Sequence, residues 1–237
     1  MLGFQPAWLL HARPYRETSA LAWLLTLDEG RTDVVVRGVR SQKSRYRALL
    51  QPFTPLQVSL RPGQGLRTLV GLESTAAPAW LQGEALVCGW YANELLGRLL
   101  PQGAPCQRVF RDYSLLINLL SDAEQREPAL RRFELSVLDL LGAAPVWQDQ
   151  MGLPLSESQA YVWQAERGFC PIVDAGQPNV LLGAALLAMA QDDWRSEATR
   201  QTAKRLTRML LSPLLGERPL HSRQLWASLS QQQERTS

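Results

Sequence analysis

An α+β protein is what this sequence predicts: a small closed β-barrel in the first third, then a mostly α-helical domain. Three observations carry the prediction. Apolar residues recur with a period of two through the first third and with a helical period from Trp80 onward. Five strand-like runs, separated by Gly, Pro and Asp turns, fit ahead of Ala76. The positive charge also concentrates there. Residues 1–80 hold ten Lys or Arg against five Asp or Glu, whereas 81–237 hold fifteen against seventeen.

Trp8–His11 is the first predicted strand, short and apolar. Thr18–Leu27 is the second, stopped by Asp28-Glu29-Gly30, a hairpin-type turn. Arg31–Arg37 follows, with Val34, Val35 and Val36 giving strong β character. The stretch Arg37–Phe53 then reads as a loop, with one helical turn expected at Arg47–Leu50. Leu56–Leu60 alternates apolar and polar residues, Arg61-Pro62-Gly63-Gln64-Gly65 is a turn cluster, and Leu66–Glu73 is the fifth strand. Five strands in this length suit a closed barrel of the oligonucleotide-binding (OB) type, in which closure removes exposed edges. Spacing alone also permits an SH3-like barrel.

Ala76-Ala77-Pro78-Ala79 reads as the hinge, dividing a barrel domain (1–79) from a helical domain (80–237). Leu81, Ala85, Cys88, Ala92, Leu95 and Leu99 mark one face of a helix that Pro101 stops. Val109 through Leu120 mark a second. Pro128 is read as the opening of a third, closed by Gly142. Residues 143–178, rich in Pro and Gly, are expected to be irregular with a short hairpin around Tyr161–Val173. Helices are expected again at Asn179–Gln191, Ser196–Leu211 and Ser222–Leu229. The polar tail Gln231–Ser237 is expected to be disordered.

With 237 residues, 46 % of them hydrophobic and 20 % charged, the chain has enough apolar material for a real core and too little charge for a disordered polymer. Three cysteines, Cys88, Cys106 and Cys170, do not make a disulfide scaffold and fit a reducing compartment. The longest apolar run, Val180–Ala190, spans about half the roughly twenty residues a membrane helix needs. No signal-peptide pattern opens the chain. A soluble cytoplasmic protein without a membrane partner is expected.

The strongest candidate site is the basic loop. Arg37, Arg40, Lys43, Arg45 and Arg47 lie within eleven residues with no acid among them, and Tyr46 is interleaved. Cations this close repel one another unless an anion compensates, and a polyanion does so while releasing its own counterions. The bland alternative is a solvated charged loop. Arg13, Arg16 and Arg31 are candidates to extend the patch if turn and strand ends converge on one rim. Tyr15 and Tyr46 are candidate stacking platforms, and Phe53 is read as core. Nearly all cations are arginines, Lys43 and Lys204 excepted. Phosphate recognition and GC-rich coding both account for that bias. No P-loop, HExxH, GxSxG or CxxC motif occurs, so no catalytic residue, cofactor or enzyme activity is expected.

The runs HARPYRETSALAWLLTLDEGR, VVVRGVRSQKSRYRALLQPFTPL, LRTLVGLE, YANELLGRLL, EPALRRFEL and AKRLTRMLLSPLLGERPLHSRQL, in that order, resemble the RecO family of bacterial recombination mediators. The resemblance runs from His11 to Leu225. It implies an OB barrel followed by a helical domain. It also implies binding to single- and double-stranded DNA, annealing of complementary strands, and partnership with RecR and with the acidic C-terminal tail of the single-strand DNA-binding protein. Loading of a recombinase in gap repair and nucleoid association follow from the same resemblance. Many members carry a four-cysteine zinc site in the irregular segment; here 143–178 holds only Cys170, and His11 and His221 lie outside it, so no metal is expected. For the acidic tail the candidates are Arg131 and Arg132 beside Phe133, with Arg98, since guanidinium groups next to an apolar pocket suit a peptide of that chemistry. Helix amphipathicity alone explains the same pattern. Arg200, Lys204 and Arg208, with Arg205 beside them, form a second cationic stripe, readable as a DNA or protein surface or as an exposed face pairing with Glu197. A protein-interaction adaptor and an RNA-binding barrel are the rival functions.

Overall fold

A computed structural model of the chain describes residues 3–63, 65–173, 176 and 178–226. The expected tail beyond 231 lies outside them, as does the end of the helix expected over Ser222–Leu229, of which 221–226 is helical. Two compact units form. One gathers the chain up to Asp122 and the segment from Arg218; the other is Ala123–Glu217.

In the first unit, β1 (Gln5–Tyr15), β2 (Ser19–Thr26), β3 (Gly30–Val36), β4 (Leu56–Leu60) and β5 (Arg67–Ser74) close into a barrel in the order β1-β2-β3-β5-β4. β1 pairs back with β4, and β3 pairs with β5 in parallel. This is the OB-type barrel the sequence predicts. Its interior follows the period of two: Ala20, Ala22 and Leu24 from β2, Val34 and Val36 from β3, and Val58 and Leu72 from β4 and β5 are all buried there.

β1 is longer than the predicted strand, and its burial explains why. Ala7 and Leu9 enter the barrel core while Trp8 and Leu10 are buried on the other side, so Ala7–Leu10 is apolar on both faces. His11 to Pro14 are exposed, leaving no alternation to read. The outer face of β1 meets α1 (Gly83–Leu99) and α2 (Gln107–Leu119). The Trp8 indole N–H donates to Ser114 Oγ at 2.8 Å, and its ring meets Tyr113 edge-on at 5.6 Å. Gly30 sits at φ 65°, and the carbonyl oxygen of Ala104 occupies the space a Cβ would need, so the turn into β3 requires glycine. Phe53 is core as expected, 5.4 Å from Trp90.

The segment from Arg218 returns to α1. The Glu94 carboxylate accepts from the backbone N–H groups of His221 and Ser222 and from Ser222 Oγ, capping the first turn of 221–226. Burial alone would raise the pKa of Glu94; these bonds outweigh it, and the net shift is downward.

The second unit contains α3 (Ala123–Leu140), β6 (Ala160–Gln164), β7 (Gly168–Ile172), β8 (Leu181–Leu182), α4 (Gly183–Ala190) and α5 (Glu197–Leu215). α3 begins five residues before Pro128, which lies inside it. The polar first turn carries no apolar period, so the proline looked like the start. Gly142 ends the helix as expected: at φ 68°, it donates to Asp139, and Ala143 donates to Leu138, the paired bonds of a Schellman cap. The hairpin β6–β7 forms at the predicted place, around buried Phe169, whose ring meets Trp147, Tyr161 and Trp163. No helix among the described residues is long and apolar enough to cross a membrane.

Candidate nucleic-acid interface

The register of the barrel decides which cations share a rim. Tyr15 pairs with Ser19 and Ala20 with Val36, so the β1–β2 turn and the loop leaving β3 emerge at one end. Gly30 pairs with Thr26 and Arg31 with Leu25, placing Arg31 at the other end. There the Arg31 guanidinium donates to the carbonyls of Gly97 and Leu100, closing the C-terminus of α1, and pairs with Asp33 at 3.4 Å while stacking on Trp23. Arg31 is a structural strut, and the expectation that it extends the basic patch is corrected.

The loop 37–55 is a chain of turns: Ser41 N–H donates to Gly38, Ser44 to Ser41 and Arg47 to Ser44. The expected helical turn survives as one bond of helical span, from Leu50 N–H to the Tyr46 carbonyl. Tyr46, Leu49 and Leu50 pack against the barrel core, which anchors the loop from its inner side. Arg37, Arg40, Lys43, Arg45 and Arg47 are consequently exposed. Tyr46 is not free to stack. It is half-buried, its hydroxyl donates to the Val70 carbonyl, and the Arg45 guanidinium lies 4.9 Å over its ring. Tyr15 is likewise covered by Arg16, at 5.1 Å.

Arg40 ties the two rim segments together. Its backbone N–H donates to the Thr18 carbonyl at 2.8 Å, and its guanidinium donates to the carbonyls of Arg16 and Glu17, both at 3.3 Å. Arg16 holds a left-handed conformation, φ 51°, that presents those carbonyls. Between turn and loop lies an open groove of about 370 Å³, bordered by Arg13, Arg40 and Arg47 and floored by small or apolar side chains. Among the described residues, none of Arg13, Arg16, Arg37, Arg40, Lys43, Arg45 and Arg47 forms an ion pair with a carboxylate. Glu17 offers Arg40 its backbone oxygen. A rim of exposed, uncompensated guanidinium groups attracts a phosphate chain.

The candidates of the second unit fare differently. Arg131 is buried, pairs with buried Glu134 at 2.6 Å and donates to Thr207 Oγ1. It is packing between α3 and α5 and not part of a peptide-binding surface, which corrects that expectation. Arg132, one residue on and about 100° around the helix, points outward. It pairs with Asp192 at 2.7 Å and lies 5.6 Å from the Trp194 ring. Burial would raise the Asp192 pKa; the hydrogen bonds from Arg132 and Trp194 bring it down on balance. Arg98, in the first unit, donates to the Pro219 carbonyl. On α5, Arg200 is tied to Glu197 and to the carbonyls of Trp194 and Arg195, and Arg205 reaches the Val180 carbonyl. Lys204 and Arg208 remain exposed on that face.

Cys170 is buried, with Sγ directed at the Gly168 carbonyl, and no three His, Cys, Asp or Glu side chains gather around a metal-sized space among the described residues. Burial pushes the Cys106 thiol up to about 11, far from a reactive thiolate.

Two family models match the chain one after the other: "Recombination protein O N terminal" over residues 2–77 and "Recombination protein O C terminal" over residues 81–224. The chain belongs to the RecO family. Relatives called "DNA repair protein RecO" bear this out. The one from Marinobacter nauticus is 42% identical over 229 residues, covering 94% of this chain and 93% of that protein. Those from Cellvibrio japonicus and Stutzerimonas stutzeri are each 41% identical over 228 residues, covering 95% and 96% of this chain and 97% and 94% of theirs. In this RecO-family chain, sequence reasoning found the cations of the rim but missed the groove floor. Ala12, Pro14, Ala20, Val39 and Leu50 carry no charge or motif to announce them.

Proposed function

We propose that this protein is a non-catalytic DNA-binding recombination mediator. It binds single- and double-stranded DNA through the barrel rim, anneals complementary strands without nucleotide hydrolysis, and helps load a recombinase onto strands coated by single-strand DNA-binding protein during gap repair. RecR and the acidic C-terminal tail of the coating protein are its partners, and it works in the cytoplasm at the nucleoid.

The observation that carries this reading is the set of exposed cations at one end of the barrel with no carboxylate partner among the described residues. Annealing needs two phosphate chains brought close, and neutralising both lowers their repulsion without any bound nucleotide. The family's DNA-repair name supports the same direction. For the acidic tail, Arg132 is the half-exposed cation of the Arg131–Arg132 pair, and an incoming carboxylate would compete with Asp192 for it.

Titration of labelled single-stranded DNA across salt concentrations tests the reading. Affinity should fall linearly in log–log form by about 0.7 per neutralised phosphate. Weak binding without such a slope would favour a protein adaptor, and preference for a matched RNA oligonucleotide would favour an RNA-binding barrel.

A further inference from the structure

The groove at the barrel rim has two chemically different parts. Its floor comes from Ala12 and Pro14 of β1, Ala20 of β2, and Val39 and Leu50 of the loop. Ala20 and Val39 are buried members of the barrel core, and Leu50 packs against it. The floor is therefore the rigid edge of that core. On this face the β1–β2 ladder carries small residues, Pro14 facing Ala20 and Ala12 facing Ala22, which leaves room for a groove. The border is cationic. Arg13 and Arg47 are exposed and have no carboxylate partner among the described residues. Arg40, already bonded to the Arg16 and Glu17 carbonyls, forms a fixed wall.

A phosphate chain alone has no use for the apolar floor. A base does: its face covers apolar surface and releases poorly held water, while the flanking phosphates reach the guanidinium groups. The volume of about 370 Å³ lies at the small end of the about 300–1,000 Å³ typical of ligand sites, room for one nucleotide and not a run of them. The two tyrosines that would otherwise offer stacking platforms are covered by Arg16 and Arg45. No hydrogen-bonding side chain lies on the floor, so nothing there selects among the four bases.

We propose that this groove is a base pocket. It takes one unpaired nucleotide of single-stranded DNA, with its base on the floor of Ala12, Val39 and Leu50 and its phosphates on Arg13 and Arg47. A base inside a duplex cannot reach the floor without leaving its stack, so the pocket favours single strands over double strands while the rest of the rim treats both alike. The proposal rests on the DNA-binding reading above and adds a specificity to it.

The experiment compares two labelled oligonucleotides of equal length by anisotropy with the full chain: oligo-dT, and the same phosphate backbone with abasic sites throughout. The intact strand should bind about five- to tenfold more tightly at equal salt, with the same salt slope, as expected when a base contact is added to unchanged phosphate contacts. In Ala12→Ile, a strand-compatible side chain on an exposed position fills the groove, and the two oligonucleotides should then bind alike. Equal affinities for the wild-type protein, with a normal salt slope, would overturn the base pocket and leave the DNA-binding reading standing. Absence of salt-dependent binding to either strand would overturn that reading itself. A persisting preference in a folded Ala12→Ile protein would place the base elsewhere and sink the proposal.

Discussion

The Tyr113 hydroxyl donates to the Asn93 side-chain oxygen at 2.5 Å, and the Asn93 amide in turn donates to the Leu10 carbonyl at 3.1 Å. All three residues are buried, so this relay fastens α2 to α1 and α1 to the first barrel strand. Burial raises the Tyr113 pKa well above its ordinary value, so the phenol stays a donor at any working pH. Tyr113→Phe leaves the Asn93 oxygen without that donor. It should cost about 1–3 kcal/mol in denaturant unfolding, the range for a buried polar group deprived of its partner, with the far-ultraviolet spectrum unchanged.

Removing Arg40, Lys43, Arg45 and Arg47 together should abolish strand annealing while the barrel still melts cooperatively. Tyr46, Leu49 and Leu50 still anchor the loop on the core, and the backbone bond from residue 40 to the Thr18 carbonyl survives loss of the Arg40 guanidinium contacts. Annealing at the wild-type rate by this variant would put the DNA site elsewhere. Removing only Lys43 and Arg47 should reduce the salt slope for single strands by about 0.7 for each phosphate no longer neutralised.

Arg31→Ala should behave in the opposite way. It strips the Gly97 and Leu100 carbonyls of their donor and should cost about 1–3 kcal/mol of stability. The DNA salt slope should match that of the wild-type protein.

Arg131 and Arg132 are adjacent in sequence and should separate cleanly. Arg131→Ala breaks a buried ion pair with Glu134 and the bond to Thr207, a change that typically costs about 3–5 kcal/mol. Arg132→Ala should leave stability nearly unchanged, its ion pair being partly exposed, but should weaken binding of an acidic tail peptide measured by calorimetry. Unchanged affinity in Arg132→Ala would remove that surface from the partner reading.

Glu94 predicts an acid-sensitive dock. Its pKa is lower folded than unfolded, so its contribution is complete above the ordinary value of 4.5 and is lost as pH falls through the folded value. Hydrogen exchange in 218–226 should accelerate in that acid window. In Glu94→Ala it should be fast at neutral pH as well, with loss of a cap worth about 0.5–2 kcal/mol.

The strands were legible where one face is buried and the other wet. β3, with alternating burial from Gly30 to Val36, matches its predicted run within a residue at each end. β1 was legible only in part, because Ala7–Leu10 is buried on both faces and the next four residues, His11 to Pro14, are all exposed. The start of α3 was misread because Pro128 resembles a first-turn proline. In the rim, charge was legible and direction was not: Tyr46 reads as a free aromatic until the loop folds it against the core.

Residue order alone determined that five short strands and a cationic loop precede the helices, since periodicity, turn residues and charge density are local properties. Only the folded chain decided which cations act together. Arg13 is distant in sequence from Arg40 and Arg47 yet borders the same groove, because strand register puts the turn after β1 and the loop after β3 at one end of the barrel. Arg31 and Arg131 carry the same charge but end in internal bonds, because the elements that bear them face α1 and α5. A guanidinium group is open to an outside anion only where packing leaves it exposed and without a carboxylate partner, and that is settled by contacts between segments far apart in the chain.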